Sequence, residues 1–151
     1  MLPFRLILCP SDFSEPSQKA LEAADELASH FSAELLLVHI VPFLPPLPAT
    51  PDVTFNLAEY EALLHADAEA RLLKLRNALS AKHPKVRTLI GHGPAAEEIV
   101  LIAKQENADL IVIATHGETG FERVVFGSVT EKLVRTAGCP VLTIRPGGRQ
   151  G

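Results

Sequence analysis

Two segments of this chain are apolar at almost every position, and they constrain the fold more than any other feature. They are Glu34–Val41 (ELLLVHIV) and Leu110–Thr115 (LIVIAT). Strands that are buried on both faces have this pattern, whereas strands with one wet face alternate apolar and polar residues. The two segments therefore predict the interior of a parallel sheet that is covered by helices on both sides.

Shorter apolar runs and helical patterns alternate around these two segments. Further strands are predicted at Arg5–Cys9, Val86–Ile90 and Val141–Ile144. Apolar residues at three- and four-residue spacing predict four helices. These lie at about residues 14–32, 56–82, 93–107 and 127–137. The alternation predicts an α/β fold, an open five-stranded parallel sheet with right-handed crossovers and helices on both faces.

The length of 151 residues fits one domain, residues 1–151, with a full core. Five prolines fall among residues 42–51. That density excludes a regular helix or a central strand, so the segment is predicted to be a loop. We interpret it as a loop within the domain because neither side would make a domain alone. Residues 146–151 are predicted to form a frayed tail.

Composition argues against several classes of protein. The net charge of −4 and the absence of Trp disfavour a nucleic-acid partner. No apolar run reaches about 18 residues, so no membrane span is expected. The first residues reach a proline and an acid too early for a signal peptide. Cys9 and Cys139 are 130 positions apart and form neither a disulfide framework nor a metal-ligand set. A cytoplasmic protein with reduced thiols is expected.

Parallel sheets bind ligands at the carboxyl ends of their strands, where the strand order reverses. The most informative strand end runs from Ala114 through Gly117 to Gly127-Ser128-Val129-Thr130. The two glycines allow close backbone approach. First-turn N–H groups and hydroxyls after Gly127 could hold a phosphate. The alternative interpretation, an ordinary helix start with a flexible lead-in, remains open here.

The chain resembles the universal stress protein family of the UspA type over residues 4–145. The resemblance is carried by Arg5–Glu15 (RLILCPSDFSE), by Leu37–Val41 (LVHIV) and most specifically by Ala108–Arg145. Nucleotide-binding members of that family carry Gly-x2-Gly-x9-Gly-Ser/Thr. This chain keeps the spacing but has Ala114 in place of the first glycine. The added methyl group would crowd a nucleotide packed on that backbone, and is accommodated if φ is ordinary.

The resemblance implies a Rossmann-like fold of the adenine nucleotide alpha hydrolase-like type. It implies a cytoplasmic stress-response protein that binds ATP, ADP or AMP as a regulatory ligand, with or without Mg²⁺. The residues that it places around the nucleotide are Pro10, Ser11, Asp12, Ile40, Ile113, Ala114, His116, Gly117, Gly127, Ser128, Val129 and Thr130. The first three would lie beside the adenosine, Ile40 would face the adenine, Ile113 and Ala114 would form the floor, and the residues from Gly117 onward would hold the phosphates.

Some of these residues, and two others near the strand ends, also have a structural interpretation. Asp12 is suited to a turn or a helix cap, and Ile40 to the core. His39 and His116 are expected to make polar packing contacts rather than to bind a metal, for which a third ligand is missing. Arg123 is expected to be a solvated charge rather than a phosphate ligand.

The motifs of several enzyme classes are missing. There is no P-loop lysine motif and no G-x-S-x-G nucleophile elbow. Residues 91–96 (GHGPAA) match a dinucleotide pattern, but no acid follows about 20 residues on, so a tight turn is predicted. No placed general base is found, so we expect a protein that is not an enzyme and hydrolyses ATP slowly or not at all.

The resemblance also implies a homodimer that pairs through the last strand, residues Val141, Leu142, Thr143 and Ile144. An exposed apolar edge strand invites such pairing. A further protein partner, not identified by the sequence, would respond to the bound nucleotide. The alternative function is a homodimeric, stress-related interaction protein of the same fold that binds no nucleotide. Ala114 favours this alternative, and the intact Gly127–Thr130 segment argues against it.

Overall fold

The computed structural model describes residues 1–44, 56–82, 85–116 and 127–147. In these residues five strands alternate with four helices, as the sequence predicts. The elements are β1 (Leu6–Pro10), α1 (Glu15–Phe31), β2 (Glu34–Val41), α2 (Leu57–Ser80), β3 (Val86–His92), α3 (Ala95–Gln105), β4 (Leu110–Ala114), α4 (Ser128–Thr136) and β5 (Val141–Ile144).

The strands form one sheet in the order β3-β2-β1-β4-β5, and every neighbouring pair is parallel. The chain leaves β1 toward β2 and β3 on one side, then crosses to β4 on the other. Strand order therefore reverses between β1 and β4, which pair at Ile7↔Leu110 and Leu8↔Ile111. The carboxyl ends of these two strands flank the position where open α/β sheets bind ligands.

Helices cover both faces of the sheet. On one face, Leu21 of α1 and Leu72 of α2 are buried together with Ile7 of β1. On the other face, Ile102 of α3 and Leu133 of α4 are buried with neighbouring strand residues. Burial of this apolar surface is the main force that holds the layers together. The two-layer covering predicted from the strand composition is confirmed.

Some element boundaries differ from those predicted. β1 continues to Pro10, which as the last strand residue pairs in register with Val38. β3 continues to His92, in register with Val41. α2 begins after Asn56, whose side chain accepts a hydrogen bond from the N–H of Glu59 over 3.2 Å.

The amino-terminal part of α2 is more exposed than its sequence pattern predicts. The helical spacing of its apolar residues predicts one buried face, which includes Leu57, Tyr60, Ala68 and Leu72. Leu57 and Tyr60 are nevertheless 40% exposed, whereas Ala68 and Leu72 are buried. Predictions for most of the proline-rich segment, for Gly117 and Arg123, and for the end of the tail fall on residues 45–55, 117–126 and 148–151, which lie outside the described residues. Among the described helices, none is both long and apolar enough to cross a membrane.

Candidate functional site

The turn after β1 is held by a compact set of hydrogen bonds around Ser11. The N–H of Ser11 donates to the carbonyl oxygen of Val38 over 2.8 Å. Its hydroxyl oxygen accepts from the N–H of Phe13 over 3.1 Å and lies 3.2 Å from the hydroxyl of Ser17. Ser11 is 8% exposed. Hydrogen bonds to β2 and to α1 therefore hold the turn. Because Ser11 is buried, its main role is to stabilise the turn.

Asp12 is exposed at the surface of this turn. Its carboxylate accepts a hydrogen bond from the N–H of Ser14 over 3.0 Å and another from the hydroxyl of Ser14. Ser14 is the N-cap of α1 and accepts from the N–H of Ser17. The turn interpretation of Asp12 is thus confirmed, and because the carboxylate stays at the surface, a ligand at this edge could still reach it.

The start of α4 packs on the end of β4. The N–H of Gly127 donates to the carbonyl oxygen of Thr115. A Cβ atom at Gly127 would lie 3.4 Å from the Cα atom of His116, so the backbones approach closely here. Within the described residues no side chain caps this helix, and the first intrahelical bond runs from the N–H of Glu131 to the carbonyl oxygen of Gly127 over 2.9 Å. The N–H groups before Glu131 therefore have no partner within the helix.

Thr130 and Ser128 differ in what their hydroxyls do. Thr130 is 3% exposed, and its hydroxyl donates to the carbonyl oxygen of Ala114 over 2.8 Å. The sequence predicts that this hydroxyl donates to a phosphate. The structure corrects that detail, because the single hydroxyl proton is already used. The hydroxyl of Ser128 is on an exposed residue, and Val129 is half-buried beside it.

Ala114, which replaces the motif glycine, has an ordinary backbone conformation. Among the described residues other than glycine, only Phe13, Ser32 and Asn107 have a positive φ. Ala114 is 5% exposed, and it belongs to the core cluster that α1 and α2 cover. Its methyl group is therefore part of the core, and alanine is accommodated without strain.

The apolar residues proposed for the adenine lie at the same edge. Ile113 is 9% exposed and belongs to the core under α3 and α4, and Pro10 is buried at the end of β1. Ile40 is half-buried at the end of β2 and packs against the core under α3 and α4. Its Cδ1 atom lies 2.7 Å from where a Cβ of Gly91 would be. Gly91 thus provides the space that Ile40 occupies.

Sequence reasoning missed the aromatic contacts beside this turn. Nδ1 of His39 lies 2.7 Å from the carbonyl oxygen of Ser11, in agreement with the expected polar packing of His39. The His39 ring stacks on Phe13 at 4.5 Å between centroids. The guanidinium of Arg71 lies 5.3 Å from the centroid of Phe13. These residues come from β2, the β1–α1 turn and α2, so no local pattern in the sequence links them.

The environments of His116, Cys9 and Cys139 do not favour a reactive role for these side chains. Nδ1 of His116 lies 3.1 Å from the hydroxyl of Thr115, so this histidine is engaged in local polar packing. Burial raises the pKa of the Cys9 thiol to about 12 and also raises the pKa of Cys139. Within the described ranges, no three His, Cys, Asp or Glu side chains are grouped so that they could hold a metal ion.

The sequence model of the universal stress protein family matches residues 3–145. The chain belongs to the universal stress protein family. A universal stress protein of Methanocaldococcus jannaschii is 32% identical over 142 residues, which cover 94% of this chain and 82% of that protein. The universal stress protein UspA from Lactobacillus plantarum has the same fold, with a TM-score of 0.82 and 28% identity. That match covers 96% of this chain and all of the other.

Two more distant universal stress proteins have been solved with a bound adenine nucleotide. One is in complex with cAMP and matches with a TM-score of 0.70 and 18% identity, over 94% of this chain and 97% of its own. The other, from Archaeoglobus fulgidus, is in complex with dAMP and matches with a TM-score of 0.62 and 21% identity, over 95% and 99%. At these identities the likeness is one of fold. Proteins that share the fold of this universal stress protein therefore include two that bind adenine nucleotides.

Proposed function

We propose that this universal stress protein binds an adenine nucleotide, ATP or else ADP or AMP, at the carboxyl edge between β1 and β4. The observation that carries the proposal is the start of α4, whose N-cap residue Gly127 has no side chain. There, Gly127 packs on the end of β4, and the N–H groups of Ser128, Val129 and Thr130 precede the first intrahelical bond. The exposed Asp12 follows the neighbouring strand of the same edge.

The start of α4 suits the phosphates of a nucleotide. Unpaired N–H groups and the positive end of the helix dipole favour an anion at a helix start. Gly127 has no side chain of its own to cover these donors, so it allows a phosphate to approach closely. The hydroxyl of the exposed Ser128 adds one more donor. This half of the site suits a phosphate chain, and Mg²⁺ would bind through the phosphate oxygens.

The other half of the site suits a nucleoside. A carboxylate accepts hydrogen bonds from a ribose hydroxyl or from an adenine amino group, and Asp12 is exposed to do so. Ile40 offers an apolar edge for the base. The methyl group of Ala114 lies in the core, so the alanine in place of the first motif glycine does not argue against nucleotide binding. The cAMP and dAMP complexes support the proposal at the level of the fold.

We propose that occupancy, not hydrolysis, is the function of this site. Among residues 10–14, 113–116 and 127–130 there is no lysine or arginine to stabilise the charge of a phosphoryl-transfer transition state. The bound nucleotide would act as a regulatory ligand whose presence is recognised by a protein partner. The protein would also form a homodimer through the edge strand β5, where Leu142 is 38% exposed.

A pair of glycine variants tests the site. The purified protein is denatured and searched by mass spectrometry for released nucleotide, and ATP with Mg²⁺ is titrated by calorimetry. Gly127→Val should abolish binding, because its branched side chain would lie against His116 and cover the helix start. Gly138→Val is the matched control, since a Cβ at Gly138 meets nothing within 4 Å. It should bind as the wild type does.

Two results would count against the proposal. If the wild type carries no nucleotide and gives no heat up to millimolar ATP, the nucleotide function is wrong. A dimeric interaction protein that binds no nucleotide would then be the better description. If Gly127→Val and Gly138→Val bind ATP equally well, the phosphate site lies elsewhere.

A further inference from the structure

We propose that His39 is a positioning residue for nucleotide binding, because it fixes the turn that carries Asp12. The inference rests on the proposed function and deepens it. Its basis is that β2 holds Ser11 through two consecutive residues. The carbonyl oxygen of Val38 accepts from the N–H of Ser11 over 2.8 Å, and Nδ1 of His39 lies 2.7 Å from the carbonyl oxygen of Ser11.

The direction of the second bond follows from its partner. A carbonyl oxygen can only accept, so Nδ1 of His39 must donate. Both main-chain polar groups of Ser11 are therefore paired with β2. The carbonyl group of Ser11 shares a rigid peptide plane with the N–H of Asp12. The bond from His39 thus sets the orientation of the peptide that leads directly into Asp12.

His39 also supports the residue on the other side of Asp12. Phe13 has a φ of 64°, a left-handed conformation that is strained for a residue with a side chain. The Phe13 ring stacks on the His39 ring at 4.5 Å with an angle of 29° between the planes. Arg71 of α2 adds a cation near the same ring. These contacts stabilise the strained turn. His39 therefore contacts Ser11 before Asp12 and Phe13 after it.

A turn held in one conformation binds with less loss of entropy than a mobile one. The donor from His39 should therefore contribute to affinity without touching the nucleotide. When the donor is lost, the carbonyl of Ser11 loses its partner and the turn gains alternative conformations. Asp12 would then be presented to the nucleotide in the correct position for only part of the time.

Two variants separate the donor from the ring. In His39→Asn, the amide nitrogen takes the place of Nδ1, so the donor is kept and the stacking is lost. In His39→Phe, a ring remains against Phe13 and the donor is lost. ATP affinity is measured by calorimetry, and thermal unfolding is measured on the same samples without nucleotide.

We expect the two variants to differ in affinity although both are less stable than the wild type. Both should lower Tm, because each loses one of the two contacts of His39. His39→Phe should weaken ATP binding about tenfold, whereas His39→Asn should bind within about threefold of wild type. A purely structural histidine would instead lower affinity in step with Tm in both variants. If His39→Phe does not fold, His39→Leu replaces it as the variant without a donor.

The outcomes distinguish this inference from the function on which it rests. Wild-type binding together with unchanged affinity in His39→Phe overturns the positioning role and leaves the nucleotide site intact. Equal weakening in His39→Asn and His39→Phe also overturns it, since the ring and not the donor would then matter. A wild type that binds no nucleotide overturns both.

Discussion

The hydroxyl of Thr130 donates a hydrogen bond to the carbonyl oxygen of Ala114, 2.8 Å away, and so ties the first turn of α4 to the end of β4. Both residues are buried. The contact fixes the direction in which the helix start faces the sheet edge. It therefore links the stability of the fold to the geometry of the proposed phosphate site.

Thr130→Val should lower the free energy of unfolding by about 1–3 kcal/mol, because it leaves a buried carbonyl without its donor. Thr130→Ser keeps the hydroxyl and should lose less. Ser128→Ala, at an exposed position, should leave stability unchanged and weaken ATP binding. Urea unfolding and calorimetry measure the two effects. A Thr130→Val protein as stable as the wild type would show that the bond contributes nothing.

Gly91→Ala should destabilise the protein through Ile40. The added Cβ would lie 2.7 Å from Cδ1 of Ile40 and 3.1 Å from Cδ1 of Ile102, so both side chains must move. Because both atoms are terminal methyl groups that can shift, the cost should lie near the lower end of the about 1–3 kcal/mol that overpacking causes. Ile40→Val removes the nearer methyl group, so the double variant should recover part of the loss. Thermal unfolding of the four proteins forms a double-mutant cycle. A coupling energy of zero would contradict the contact.

The two thiols should react with iodoacetamide at different rates. The thiolate is the reactive form, and the raised pKa of Cys9, about 12, keeps this buried thiol protonated at pH 8. Cys139 also has a raised pKa but is half-buried, so it should be modified slowly yet well before Cys9. Mass spectrometry of native and urea-unfolded samples gives the rates. Native Cys9 that reacts as fast as unfolded Cys9 would be inconsistent with its burial.

The burial of Cys9 also gives stability a pH dependence. The pKa of this acid is raised in the folded state, so the contribution to stability is complete below the ordinary thiol pKa of 9.0. It should be lost as pH rises from there toward about 12. Unfolding midpoints measured across alkaline pH follow this loss.

Leu142→Lys should shift the proposed homodimer toward monomer. β5 is an edge strand of the sheet, and a two-fold axis along that edge would bring Leu142 close to its copy. Two lysines there would repel each other. Leu101→Lys on α3 is a control at a comparably exposed leucine. Sedimentation velocity gives the oligomeric state. An unchanged dimer in Leu142→Lys would place the interface elsewhere.

The sequence predicts the element order well because apolar periodicity is local. The bounds of β2 and β5 match the structure, since each is an apolar run that ends at a polar residue or a proline. The amino-terminal part of α2 was predicted wrongly in one respect. Periodicity identifies an apolar face, but it does not show whether another element covers that face, and Leu57 and Tyr60 are 40% exposed.

The sequence predicts the part of the site that lies in one motif. It does not predict contacts between residues that are far apart in the sequence. The spacing from Ala114 to Ser128 indicated the helix start and the strand end. The bond from His39 to Ser11 joins residues 28 apart, and Phe13 and Arg71 are farther apart still. Thr130 shows a different limit, because a threonine in a first helical turn has the same sequence signal whether it faces a ligand or a strand.

The shortest ladder in the sheet runs between β1 and β4. It has two register pairs, whereas the other three ladders have from four to seven. This ladder is also where the amino-terminal and carboxyl-terminal halves of the chain meet. Few backbone hydrogen bonds therefore join the two halves of the sheet. A small molecule that contacted Asp12 on one side and Ser128 on the other would link the two halves across this short ladder.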